Sequence, residues 1–246
     1  MTTRIPVATV FVTVAVATSL ASVSSLDIGP QEVTRPPLSA HERDIVNKRD
    51  RAWEIGGFRA AAAVTGSYRV TRSANDLNAD SVAFLVQHSP LIIVGRVLSN
   101  RTWLNARGDL ITTDYQVLVD RALKGPSQAG TITMSVAGGK IVFEDGSWAE
   151  VHIRDMLLPV NGEQYILFLR PTQYEPGPEQ RRAAAGPIYM PSFEALSLYR
   201  INERGLITPK TFSGHRLFRK YAGKPEGGLI DDIAAAVAAQ KAAVGR

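Results

Sequence analysis

The chain has 246 residues, of which 45% are hydrophobic, 21% charged and 7% aromatic. This composition is typical of a globular protein with a packed core, and it excludes the collagen-like, wholly disordered and disulfide-stapled classes. The net charge of +5 is concentrated in residues 171–224, which carry nine Lys and Arg against four Glu. Because the basicity is local, it does not indicate a nucleic-acid-binding surface over the whole protein, and no nucleic-acid partner is expected.

The N-terminal residues follow the order of a secretory signal peptide. One Arg precedes an apolar run over residues 5–17, and small residues follow at Ser19 and Ala21. We therefore predict a signal peptide over residues 1–21 that is cleaved after Ala21. An uncleaved membrane anchor is the alternative, and membrane contact is expected only in that case.

The absence of cysteine bears on both the fold and the compartment. The sequence contains no Cys, so disulfides and thiolate metal ligands are excluded and the fold depends on its core. An exported chain of this size without disulfides is more typical of a bacterial envelope than of an animal secretome. We therefore predict an exported protein located in the periplasm or outside the cell.

Residues 22–75 are predicted to be a linker followed by a charged helical segment. Ser39 and Glu42 have the spacing of a capping box, so a helix begins there, and its periodic pattern stops at the glycine pair 56–57. The stretch that follows has two interpretations, an extension of the helix or a short strand over residues 67–71.

The predicted barrel domain, residues 76–224, opens with a second helix. Asp80 is its predicted N-cap, and the helix ends near Ser89 because Pro90 disfavours helical geometry in the residue before it. A buried strand follows over residues 91–99. Gly95 lies within this strand, at a position where a bulge or bend is tolerated.

Beyond this point short apolar strands alternate with turns. The further strands are predicted over residues 110–123, 131–136, 140–144, 147–153, 163–169, 196–202 and 206–209, with Asp145 and Gly146 forming a tight hairpin turn. Residues 171–188 are rich in Pro, Gly and Arg and are predicted to be an exposed loop. Residues 225–246 are predicted to form a C-terminal helix that carries Leu229, Ile230, Ile233 and Val237.

The strand pattern predicts the fold class. Many short strands at regular spacing, with no long helix between successive strands, argue against a parallel βαβ architecture. We predict a mostly β fold, an OB-like antiparallel barrel or a small sandwich with flanking α-helices, which is α+β by content.

Three segments carry a resemblance to a known group of proteins. They are LIIVGRV (91–97), YQVLVDRALKG (115–125) and GEQYILFLRP (162–171). Their spacing resembles uncharacterised exported bacterial proteins with an OB-like barrel, similar to the netrin-module and tissue-metalloprotease-inhibitor fold, over residues 88–201. The resemblance implies a barrel used for binding, with no catalytic residue attached. The N-terminal cysteine through which those inhibitors act has no counterpart here.

The sequence contains none of the strong catalytic or cofactor motifs. It lacks the nucleophile elbow G-x-S-x-G, the zinc motif H-E-x-x-H, the P-loop and the dinucleotide fingerprint. We therefore predict no catalytic residue, no metal site and no cofactor.

The most suggestive polar cluster comprises Glu144, Asp145, Glu150, His152 and Asp155, which could hold a metal or transfer a proton. We favour the other interpretation, a solvated hairpin face with cross-strand charge pairs.

A second cluster combines cations with aromatic residues. It comprises His215, Arg216, Phe218, Arg219, Lys220, Tyr221 and Lys224. Such a mixture can bind an anionic polymer through ionic contact and stacking, which makes Arg216, Arg219 and Lys220 the candidate anionic-ligand residues. The favoured interpretation is a loop whose aromatic side chains pack under the terminal helix while its cations stay solvated.

The function predicted from these features is association rather than catalysis. We expect an exported, non-enzymatic β-barrel module that binds an unidentified protein or glycan partner in the cell envelope. The alternatives are an envelope hydrolase whose site is assembled from separate loops, and a lipid- or surface-associated structural protein.

Trp148, Tyr165 and Phe168 are predicted to be core residues because they lie in strand patterns.

Overall fold

A computed structural model describes residues 37–73, 79–126, 130–154, 156–173, 178–184, 186–209 and 215–244. The predicted signal peptide and its cleavage site at Ala21 lie outside these residues. The chain divides into two units, Met1–Leu38 and Ser39–Arg246, and every helix and strand given below belongs to the second.

The described residues form five α-helices and ten strands. The helices are α1 (Ala40–Thr65), α2 (Val82–Gln87), α3 (Pro178–Ala183), α4 (Arg216–Tyr221) and α5 (Glu226–Val244). The strands are β1 (Ser67–Ser73), β2 (Leu91–Leu104), β3 (Ile111–Lys124), β4 (Gly130–Ala137), β5 (Gly139–Val142), β6 (Trp148–Arg154), β7 (Gln164–Pro171), β8 (Ile188–Pro191), β9 (Leu198–Ile201) and β10 (Ile207–Pro209).

The start of α1 is the predicted capping box. The Ser39 hydroxyl accepts a hydrogen bond from the Glu42 amide at 3.2 Å, and the Glu42 carboxylate accepts one from the Ser39 amide at 2.7 Å. The predicted break at the glycine pair is confirmed, and so is the interpretation of the next residues as an extension of the helix. Gly56 and Gly57 leave the helical conformation, but the chain resumes it and continues to Thr65, so the glycine pair makes a kink. The strand over residues 67–71 is confirmed within β1.

The cap of α2 differs from the prediction by one residue. Ser81, not Asp80, has the extended backbone of an N-cap, and its hydroxyl accepts from the Phe84 amide at 3.2 Å. Serine and aspartate are equally good caps, so the sequence alone did not separate the two neighbours. Val82, Leu85 and Val86, which share one face of this helix, are buried.

Five strands close into an OB-like barrel, which confirms the predicted fold class. Their order around the barrel is β2-β3-β4-β8-β7 and back to β2. All neighbours are antiparallel except β4 and β8, which are parallel. The first half of β7 pairs with β9, which in turn pairs with β10, and both pairs are antiparallel. The last three residues of β7 pair with β8.

The closing strand, β8, begins at Ile188, the last residue of the segment predicted to be an exposed loop, and no strand was predicted over its other three residues. The loop prediction is wrong for residues 178–183, which form α3, and for Ile188. A strand of four residues is too short to show an alternating pattern. Its pairing with Thr133 and Met134 on one side and with residues 169–171 on the other closes the barrel.

A second, three-stranded sheet in the order β1-β6-β5 contains the predicted Asp-Gly hairpin. β5 and β6 are antiparallel, and β1 runs parallel to β6. The Gly146 amide donates to the Phe143 carbonyl at 3.0 Å within the turn. This sheet packs with the second half of α1 through Phe58, Ala62 and Ala149.

The barrel strands β2 and β7 are buried on both sides because they separate two apolar clusters. Leu91, Ile93 and Val97 of β2 face the barrel interior, whereas Ile92 and Val94 face the helices. We call the second cluster the helical layer. It joins side chains of α2, α4 and α5 to the outer faces of β2, β7 and β9, including Leu85, Phe168, Tyr199, Phe218, Leu229 and Ile233.

The predicted irregularity of β2 at Gly95 is confirmed. The register between β2 and β3 shifts between Val94 and Gly95. A Cβ atom at Gly95 would lie 2.7 Å from the Val117 Cγ1 and 2.8 Å from the Leu118 carbonyl oxygen, so the neighbouring strand leaves no room for a side chain.

Two of the three predicted core aromatics are confirmed. Tyr165 and Phe168 are completely buried. Trp148 is half-buried and lies on the face of β6 between two cations, with the Lys140 Nζ at 4.3 Å and the Arg69 guanidinium at 5.6 Å from its ring centre. The prediction of a core position is wrong for Trp148, because sequence periodicity does not say which face of the strand is covered.

Candidate functional site

The outer face of β3 and β4 is polar where the rest of the barrel wall is apolar. Inward-facing Tyr115 and Val117 belong to the barrel core. Since side chains alternate along a strand, Asp114 and Gln116 lie on the opposite, outer face. Thr133 and Ser135 of β4 occupy the equivalent positions beside them.

The short helix α3 covers this polar face. The Gln180 side-chain amide donates to the Asp114 carboxylate at 2.9 Å, and the Gln116 amide lies 3.4 Å from the Ala183 carbonyl oxygen. Asp114 is 5% exposed as a result. The face that an OB-type barrel offers to oligosaccharides and oligonucleotides is therefore partly enclosed here.

A cleft of about 250 Å³ opens beside this contact. Its lining comes from the second half of β2, from β3 and from the end of α3. The residues are Ser99, Asn100, Arg101, Trp103, Asp114, Gln116 and Ala183. We call this cavity the β2–β3 cleft.

Trp103 is half-buried in the β2–β3 cleft and contacts an exposed cation. The Arg101 guanidinium lies 4.1 Å from the centre of its ring, a cation–π contact that restrains both side chains. The indole Nε1 is buried and makes no hydrogen bond of good geometry, although it lies near enough to the Asp114 carboxyl to favour its ionised form. The cleft therefore contains an aromatic ring, a buried donor and a carboxylate in contact.

Burial raises the pKa of the Asp114 carboxyl above its usual range. Hydrogen bonds from Ser135 and Gln180, together with the nearby Trp103 indole, oppose this effect without cancelling it. A carboxyl with a raised pKa in the folded state binds its proton more tightly there than in the unfolded chain. The native state consequently loses stability as the pH rises through the titration range of this group.

We therefore expect Asp114→Asn to increase the free energy of unfolding at pH 7. The amide keeps the shape and removes the buried charge. The gain should shrink as the pH falls below about 4, where the carboxyl is protonated in both states. Urea unfolding at pH 7 and at pH 3.5 measures the difference.

The control for this prediction is Glu203→Gln, which removes a charge from an exposed turn residue. It should leave the stability difference between the two pH values close to that of the unmodified protein. A loss of stability in Asp114→Asn at pH 7, or a gain independent of pH, would contradict the expected role of burial.

The candidate anionic-ligand residues lie on the helix α4, where the sequence predicted a loop. Arg216 pairs with Asp80 at 3.1 Å, and the Lys220 Nζ pairs with Asp232 at 2.7 Å. This pairing raises the pKa of Lys220. Arg219 is exposed. Two of the three cations are thus already neutralised by carboxylates, and anion binding by the three stays a prediction.

The aromatic residues of this cluster pack in the protein interior, as the favoured interpretation of the sequence predicts. Phe218 and Tyr221 are buried in the helical layer, and the ring of Tyr199 lies 5.3 Å from that of Phe218. The helix that carries them begins at His215, whose ring nitrogen accepts a hydrogen bond from the Leu217 amide at 3.3 Å. Burial lowers the pKa of His215.

The polar hairpin cluster shows the cross-strand charge pairing that we favoured. Glu150 of β6 pairs with Arg69 of β1 at 2.7 Å, and His152 is exposed on the same strand. Asp155 lies outside the described residues. Among the residues that the structure describes, no group of three or more His, Asp or Glu could hold a metal ion.

The sequence interpretation missed Trp103, Arg101 and Asp114 as site residues. The only available signal was the polar residues Thr112, Asp114 and Gln116 at alternate positions in the first half of β3, which is also the pattern of an ordinary solvated face. What distinguishes these residues is the covering by α3, which lies more than 60 positions along the chain. That contact has no local signature.

None of the helices in the described ranges is long and apolar enough to cross a membrane. Neither a family of related sequences nor a curated protein was found to match this chain.

Proposed function

We propose that this protein is an exported β-barrel module that binds a glycan of the cell envelope in the β2–β3 cleft. Export rests on the signal-like order of residues 1–21. The observation that carries the binding proposal is the cluster formed by the half-buried Trp103, the exposed Arg101 and the buried Asp114. The proposal also includes a relationship between this chain and exported netrin-like barrels, which the strand spacing suggests.

The chemistry of the cleft matches that of a sugar. A sugar ring has apolar C–H faces that pack on an aromatic ring and hydroxyl groups that need hydrogen-bond partners. Trp103 supplies the ring, Asp114 an acceptor, Asn100 and Gln116 amides that both donate and accept, and Arg101 donors. Four polar side chains converging beside one aromatic residue are typical of a small-molecule site.

The size of the cleft favours a short carbohydrate segment. Its volume of about 250 Å³ is slightly below the roughly 300–1,000 Å³ of ordinary ligand pockets. A terminal sugar or one unit of a longer chain fits such a space better than a folded partner protein, which needs a larger contact area.

The hydrolase alternative finds less support in this cleft. Glycoside hydrolysis usually needs two carboxyl groups on either side of the bond. The described lining has one, Asp114. The raised pKa of Asp114 is the observation that keeps hydrolysis as the second candidate, because a general acid has this property.

The experiment is a glycan array screened with the purified chain, followed by titration calorimetry with the best oligosaccharide. Trp103→Ala should weaken its binding by about tenfold or more, since buried aromatic contacts are typical hot spots. The matched control is Trp148→Ala. It removes a second cation-flanked tryptophan, on β6 of the other sheet, and should leave the affinity unchanged.

Two results would contradict glycan binding in the cleft. One is the absence of saturable binding to any arrayed glycan. The other is an equal effect of the two tryptophan substitutions. Release of shortened oligosaccharides during the titration would instead support the hydrolase alternative, and Asp114→Asn should abolish that release.

A further inference from the structure

A second cavity lies at the other end of β3, where its last residues meet the final turns of α5. Its volume is about 980 Å³. It is separate in its lining from the β2–β3 cleft, with which it shares no residue. We call it the β3–α5 cavity.

The floor of the β3–α5 cavity is apolar. Leu123 of β3 and Val237 of α5 are partly buried and pack against the helical layer. Pro90 and Ala122 extend this apolar surface at the edge of the cavity. An exposed apolar floor of this kind gains free energy when an alkyl chain displaces water from it.

The rim of the same cavity is cationic. Arg121, Lys124 and Lys241 line it, and none of them forms an ion pair within the described part of the chain. The one carboxylate in the lining, Asp120, accepts a hydrogen bond from the Gln164 amide at 2.8 Å. The cavity therefore has an excess of positive charge above its apolar floor.

Lys124 is the cation of this lining whose position is held by a hydrogen bond to the backbone. Its Nζ donates to the Val86 carbonyl oxygen at 2.5 Å, which holds the ammonium group in place at the end of α2. Burial lowers its pKa. A partly desolvated cation of this kind gains most from an anion that enters the cavity with it.

We propose that the β3–α5 cavity binds a single-chain anionic amphiphile. Its carboxylate or phosphate head contacts Lys124, Lys241 and Arg121, and its alkyl chain lies along Leu123 and Val237. Three cations over an apolar floor match both halves of such a molecule. Neither an inorganic anion nor an uncharged sugar uses both surfaces.

The test uses the full chain and calorimetric titration with decanoate and with decyl phosphate below their micelle concentrations. Decyltrimethylammonium, of equal chain length and opposite charge, and inorganic phosphate are the ligand controls. We expect saturable binding of both anionic amphiphiles and of neither control. Binding of decyltrimethylammonium with equal affinity, or no saturable binding of either anion, would overturn the proposal.

Substitutions locate the binding in the cavity. Lys241→Gln should weaken decanoate binding. The double variant Lys124→Met/Lys241→Gln should weaken it by about tenfold or more, since each lost charge-assisted hydrogen bond matters at this level. Lys241 is exposed near the end of α5, so its single variant keeps the fold intact. The matched control is Arg219→Gln, an exposed cation on α4. Equal effects of Lys241→Gln and Arg219→Gln would overturn the assignment.

A vesicle arm separates a free amphiphile from a membrane surface. The chain is sedimented with phosphatidylglycerol vesicles in parallel with the decanoate titration. Sedimentation that depends on Arg216, Arg219 and Lys220, in the absence of decanoate binding, would replace the cavity with the basic surface of α4. Binding of decanoate without sedimentation supports the cavity as a site for free single-chain molecules.

Discussion

Gly139→Ala should lower the free energy of unfolding by about 3–5 kcal/mol, because a backbone conflict and a steric conflict coincide at this residue. Gly139 has a φ of 121°, in the region that side chains disfavour. A Cβ atom there would lie 2.2 Å from the Thr113 Oγ1 and 3.2 Å from the Thr102 Oγ1. Chemical denaturation monitored by circular dichroism measures the loss.

The neighbouring hydroxyl groups cannot easily move away from the added methyl group. Thr113 is 3% exposed, and its hydroxyl donates to the Gly138 carbonyl oxygen at 2.7 Å. The Thr102 hydroxyl lies 3.1 Å from it. This group of contacts joins β2 and β3 to the point where β4 passes into β5, so the substitution strains the junction between the barrel and the second sheet.

Two variants distinguish the steric part from the conformational part. Gly146→Ala introduces a side chain at a φ of 79° with no atom within 4 Å, so it should lose only about 1–2 kcal/mol. Thr113→Ala combined with Gly139→Ala should be less destabilised than the sum of the two single variants. Equal losses in Gly139→Ala and Gly146→Ala would show that the close contact with Thr113 is not significant.

Phe168→Ala should lower the free energy of unfolding by about 3–5 kcal/mol, the range for removing a buried aromatic ring. Phe168 is completely buried on the helix-facing side of β7. Its ring lies 5.8 Å from that of Tyr199 in an edge-to-face arrangement. The substitution leaves a cavity between the barrel and the helical layer, which urea unfolding measures as a lower midpoint.

The location of this loss can be tested separately from its size. Because Tyr199 also packs on Phe218 of α4, amide exchange should accelerate in α4 and α5 before it does in the barrel strands. Phe168→Leu, which fills most of the volume, should lose less than about 1.5 kcal/mol. Uniform acceleration of exchange in all elements would contradict the view that the helical layer loosens first.

In the proposed glycan site, binding and stability are expected to oppose each other. Asp114 is buried although burial disfavours its charged form, and an asparagine of the same shape would remove that charge. A glycan hydroxyl that donates to this carboxylate would compensate the cost only in the complex. If Asp114→Asn is more stable and binds more weakly, the two effects together support the proposed function.

Much of the fold was predictable because its signals are local. The capping box at Ser39 depends on residues three apart, and the turn at Asp145 and Gly146 depends on two adjacent residues with permissive backbones. The strands β2, β3 and β7 show their apolar pattern over eight or more residues. Each of these features can be recognised without knowing which parts of the chain lie next to each other.

The amino-acid sequence by itself predicted the long strands, the first and last helices and a mostly β fold, either a barrel or a sandwich, since periodicity reports which side chains must be buried. Only the tertiary structure decided that the four residues of β8 close the barrel, and that α3 covers Asp114 next to Trp103. The physical reason is that pairing and covering are contacts between distant segments. Their free energy depends on the shape of the assembled barrel, so no short stretch of sequence carries them.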